Sequence, residues 1–125
     1  MRALPPGIRK RAHARRSEIP DRAAHEKARI LKALAHPIRV SIFELLSQGE
    51  KSVGEIVESL GIKEANTSRH LAILRDAGLV AARKEGLNVY YSIKMACLLP
   101  MLSCIVDAIC TRADEQIRIA EGMRK

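Results

Sequence analysis

The apolar positions of this 125-residue chain change period twice. Ala24, Ala28, Leu31 and Leu34 recur every three to four positions, which is the spacing of one helix face. Pro20-Asp21 opens this helix with Asp21 as N-cap, and it ends near Ala35, because the residue before a proline avoids helical torsions. Pro37 then serves as the first residue of a second helix, whose stripe is Ile38, Ile42, Leu45 and Leu46 and whose stop is Gln48-Gly49. Glu50-Lys51 reads as a turn. Ser52 and Glu55 have the spacing of a capping box ahead of a third helix, with Val53, Ile56, Val57 and Leu60 apolar and Gly61 at its end. After a turn of only three residues a fourth helix runs from Glu64 to about Asp76, closed by Gly78. The period then drops to two. Leu79–Arg83 and Asn88–Ile93 read as strands joined by the loop Lys84-Glu85-Gly86-Leu87, with Val89, Tyr91 and Ile93 on one face and Tyr90 on the other. Helical spacing returns from about Ala96 to beyond Thr111 and as far as Ile119, with Pro100 in the first turn, where a missing N–H costs little.

Two helices joined by a three-residue turn and followed by a short basic hairpin are the layout of a winged helix-turn-helix. The expected fold is therefore mostly α, an α+β winged helix with a two-stranded wing and with terminal helices forming a dimer interface. Those terminal helices have apolar faces with no other evident use. At about 100° per residue, Thr67, Leu71 and Leu74 of the fourth helix face inward, with His70 near the core side. Ala65, Arg69 and Asp76 lie opposite, flanked by Asn66 and Ser68. Arg pairs with guanine and Asn with adenine through two hydrogen bonds each, a small Ala65 lets the backbone approach, and Lys63 suits a phosphate. In the wing, Arg83, Lys84 and Asn88 suit a phosphate backbone or a minor groove.

Charge supports that direction. The chain carries a net +8, is 47% hydrophobic and 29% charged, and a basic balance favours an acidic partner such as nucleic acid or an anionic surface. Residues 1–20 hold six basic side chains against one acid, a net +5. Residues 1–19 are expected to be a disordered basic arm, and residues 20–125 a single DNA-binding and dimerisation domain. No run approaches the roughly 18 apolar residues of a spanning helix, and the first 25 residues contain no apolar segment of a secretory signal. Phe43, Tyr90 and Tyr91 are the only aromatic rings, too few for binding a single strand by base stacking. The expected location is the cytoplasm, with no membrane partner and no obligatory cofactor.

The stretch Leu31–Val40, with its Leu34-Ala35-His36-Pro37 core, resembles the first-helix signature of ArsR/SmtB-type repressors. Ser52–Val80, through Ser68-Arg69-His70-Leu71 and Asp76-Ala77-Gly78-Leu79-Val80, is similar to their helix-turn-helix, and Glu85-Gly86 with Val89-Tyr90-Tyr91 to their wing. The resemblance spans residues 27–110. It implies a homodimeric repressor that leaves a double-stranded operator, an inverted repeat, when an inducer binds. In this family the inducers are metals, metalloids, oxidants or reactive sulfur. Val53–Leu60 contains none of the cysteines that some members use beside the recognition helix. Asp107 has no histidine after it to complete the zinc-type site of others, and His36 stands where Asp is usual.

That leaves Cys97, Cys104 and Cys110, all placed on the last helix. Cys97 and Cys104 share a flank but are about 10.5 Å apart in rise, too far for one metal or for a disulfide, which keeps its Cα atoms within about 7 Å. Two copies crossing antiparallel near Cys104 would bring that thiol to its mate and Cys97 level with the partner's Cys110. Thiolates suit a soft ion such as As(III), or equally sulfur and oxidant chemistry. Small apolar core residues are the plain alternative. An enzyme of thiol exchange would need a C-x-x-C or a paired base, and neither is present. A winged helix serving only protein interaction is the rival of another class. It would tolerate acidic or apolar residues where Asn66, Arg69, Arg83 and Lys84 stand.

Overall fold

The computed structural model describes residues 21–124. The proposed arm of residues 1–19 lies outside them. The chain forms α1 (21–34), α2 (Pro37–Leu46), β1 (Lys51–Ser52), α3 (Val53–Leu60), α4 (Glu64–Asp76), β2 (Val80–Glu85), β3 (Asn88–Ile93) and α5 (Leu98–Arg124). Asp21 is already helical rather than a cap. His36 caps α2, its Nδ1 accepting the Ile38 N–H at 3.1 Å, and Pro37 follows at N1. The Ser52–Glu55 capping box is complete in both directions, each hydrogen bond 3.2 Å long; such a cap is worth about 1 kcal/mol. Gly61 closes α3 in the left-handed region at φ 65°, which glycine enters without a Cβ penalty.

The sheet is antiparallel with order β1-β3-β2. β1 is a strand where a turn was expected; two residues carry no period that a sequence pattern could show. Lys51 pairs with Tyr91 and Ser52 with Tyr90. The β2–β3 ladder runs on to Glu85 opposite Asn88, so the turn is the two residues Gly86-Leu87 and not four. Gly86, at φ 61°, takes the first central position of that turn, where a mirror-image hairpin turn needs positive φ.

The core joins α2, α3, α4 and the root of the wing. Ile42, Phe43, Ile56, Leu71, Leu74, Leu79 and Val80 are fully buried, with Tyr91 beside them. Val89 and Ile93 pack on the same side as Tyr91, so this face ties the wing to the body. Thr67 is buried inside α4, and its hydroxyl donates to the Lys63 carbonyl at 3.0 Å. α5 packs on this core through Leu98, Leu99, Met101 and Leu102. From Ser103 onward it is exposed. Its 27 residues span about 40 Å. Among the described residues no helix is long and apolar enough to cross a membrane.

Candidate nucleic-acid interface

The inward face of α4 is Thr67, Leu71 and Leu74; its other face is solvent. Ala65, Asn66, Ser68, Arg69 and Asp76 are all exposed, as is Lys63 at the N-cap. Neither Asn66 nor Arg69 forms a side-chain hydrogen bond or ion pair with another described residue, so both present unspent donors. No side chain caps α4, which leaves its first turn open to an anion.

Behind this face, the His70 ring packs against that of His36 at a tilt of 42° with centroids 4.5 Å apart, linking α4 to the start of α2. Arg39 of α2 donates to the carbonyls of Ala33 at 2.8 Å and Lys32 at 3.4 Å, closing the C-terminal end of α1. A basic residue in the first turn of the next helix is a legible sequence signal for such a clamp.

Arg83, a candidate groove or phosphate contact, is half-exposed and paired within the chain. Its Nη2 donates to Glu50 Oε1 at 2.6 Å and its Nη1 to Glu85 Oε2 at 2.6 Å. The guanidinium carbon lies 5.0 Å from the centre of the Tyr90 ring, its cross-strand partner. The hydrogen bond from Arg83 pulls Glu50 below the ordinary carboxylate value, and the bonds to Glu50 and Glu85 raise Arg83 above its own. Arg83 therefore positions the hairpin against the loop before β1. Lys84 and Asn88 remain exposed, and Lys84 forms no ion pair with a described residue.

The three cysteines are free and exposed. Cys97 stands one residue ahead of α5 and not within it, while Cys104 and Cys110 are on the helix. The core reading of these thiols does not hold for the single chain. No group of three His, Cys, Asp or Glu side chains placed to hold a metal occurs among the described residues. A groove of about 400 Å³ opens between α2 and α5, flanked by Glu44, Leu99, Leu102, Ser103 and Asp107, and no cysteine lines it.

Residues 36–82, from the cap of α2 to the root of the wing, match the family described as "Bacterial regulatory protein, arsR family". An uncharacterized HTH-type transcriptional regulator of Mycobacterium tuberculosis is 36% identical over 99 residues, covering 78% of this chain and 87% of the relative. The chain belongs to the ArsR family. A biofilm growth-associated repressor of Xylella fastidiosa is 32% identical over 80% of this chain and 87% of its own length. In three dimensions the chain is similar to a homodimeric winged helix-turn-helix DNA-binding domain from Mycobacterium bovis, with TM-score 0.67 and 35% identity over 73% of this chain and 87% of that one. This ArsR-family chain is thus a DNA-binding transcriptional regulator and not an enzyme, and α3 and α4 are its helix-turn-helix and the β2–β3 hairpin its wing.

Proposed function

We propose that this regulator is a homodimeric repressor. It holds a double-stranded operator with an inverted repeat through α4 and the wing, and is released when an inducer reacts with the thiols at α5. The observation that carries the DNA part is the division of α4, buried through Thr67, Leu71 and Leu74 and presenting Asn66, Ser68 and Arg69 unpaired to solvent. The dimer is supported by the apolar side chains left uncovered on the terminal helices: Leu31 on α1 and Ile105, Val106, Ile109, Ile117, Ile119 and Met123 on α5. A solved relative of the same fold is a homodimer.

Cys104 and Cys110 lie about 9 Å apart along the helix axis, so one chain's thiols do not fit around a single soft ion such as As(III). Convergence needs a second copy crossing near Cys104. Reactive sulfur and oxidants make no such demand, since an exposed thiol reacts singly or with a partner's thiol. The exposure of all three thiols supports this second reading of the inducer.

The test is release of the full chain from a duplex selected out of a random pool. Arsenite, cadmium, a persulfide and peroxide are tried in turn. The wild type is expected to leave with at least one of them. The Cys97→Ser, Cys104→Ser, Cys110→Ser triple variant is expected to bind as tightly and to stay bound. Release of the triple variant like the wild type would show that the thiols take no part.

A further inference from the structure

Eight large apolar side chains are strongly exposed among the described residues, and seven of them sit on α1 and α5, where a second copy would cover them. The eighth is Leu87, at the tip of the wing, with a relative exposure of 101%. No described residue shields it, and the turn does not require it. Positive φ is taken by Gly86, and the second turn position accepts any small polar residue.

The tip that carries Leu87 is stiff. The ladder is paired to its last residues, Glu85 and Asn88, and the turn has two residues. Arg83 fastens the hairpin to Glu50 of the loop before β1 and braces it internally through Glu85. An apolar side chain on a stiff hairpin, with an amide at Asn88 beside it, the Glu85 carboxylate neutralised by Arg83 and a cation at Lys84 one position behind, has the chemistry of a minor-groove wedge. The cation meets phosphate, the amide meets base edges, and the apolar group enters between base pairs and unstacks them.

Resting on the reading above that this face binds duplex DNA, we infer that Leu87 is an apolar wedge seated in the minor groove at the wing. It favours a readily unstacked pyrimidine–purine step there and bends the duplex. Sequence preference would then arise at a position with no base-edge hydrogen bond from α4.

The experiment uses the full chain and a duplex selected from a random pool by the wild type, with affinity, footprint and end-to-end energy transfer as readouts. The wild type is expected to bend the duplex. Leu87→Ala is expected to bind about tenfold more weakly, the scale of losing most of one buried leucine, to keep the footprint and to leave the duplex nearly straight. Leu87→Met, still a flexible apolar group, should restore both affinity and bend. Wild-type affinity and bend in Leu87→Ala would overturn the inference while leaving the DNA reading intact. Failure of the wild type to enrich any duplex would overturn both.

Discussion

His70 sits on the inner flank of α4 with its Nδ1 buried and unpartnered among the described residues, and the Nε of Arg39 is in the same condition. Burial first, and then electrostatic repulsion from the neighbouring His36, Arg39 and Arg69, hold the His70 imidazole below its ordinary value of 6.5. A base that folding keeps from protonating binds fewer protons folded than unfolded. Its contribution to stability is full above the ordinary value and is lost as the pH falls below it, towards the lowered folded value. Thermal unfolding of the wild type should therefore shift to lower temperature as pH drops from 7 towards 5. His70→Gln should show a shallower fall over the same window. An identical pH profile in the two proteins would remove His70 from this account.

At the scale of elements, α4 and the wing have separable tasks. Arg69 is an unpaired donor on a helix able to enter a major groove, so Arg69→Ala should cost about 1–3 kcal/mol of binding and relax preference at one base pair. Lys84→Ala should weaken all duplexes alike and reduce the slope of log affinity against log salt by about 1 per protomer, the mark of a phosphate contact. Equal, sequence-independent losses in both variants, measured by titration on selected and random duplexes, would reverse the assignment of the reading residue. Much of this layer was legible in the sequence. The capping box, the bounds of α4 and β3, and the inward and outward faces of α4 all follow from local spacing. The anchoring of Arg83 does not, because Glu50 is 33 residues away and only the fold brings it near. The hairpin turn was read two residues too long, since Lys84 and Glu85 are polar and look like loop although the ladder continues through them. Leu87 is not legible in the sequence, because one leucine beside a glycine has no pattern.

For the whole molecule, α5 is the element least explained by a single chain. Its first turns complete the core and its remainder holds Ile105, Ile109, Ile119 and Met123 in water. Burying each such side chain against a second copy is worth about 1.5–3 kcal/mol. In the proposed homodimer Ile105→Asp with Ile109→Asp should yield a folded monomer in sedimentation, with helix content kept and duplex affinity much reduced. A dimer persisting in that variant would place the interface elsewhere. The central claim is that two copies present two α4 helices to one duplex. It is tested most directly by a hydroxyl-radical footprint of the full chain on a selected duplex over a range of salt. The account predicts two symmetric protected patches about one helical turn apart, with affinity falling steeply as salt rises. A single unsymmetric patch, or protection that salt does not change, would contradict it.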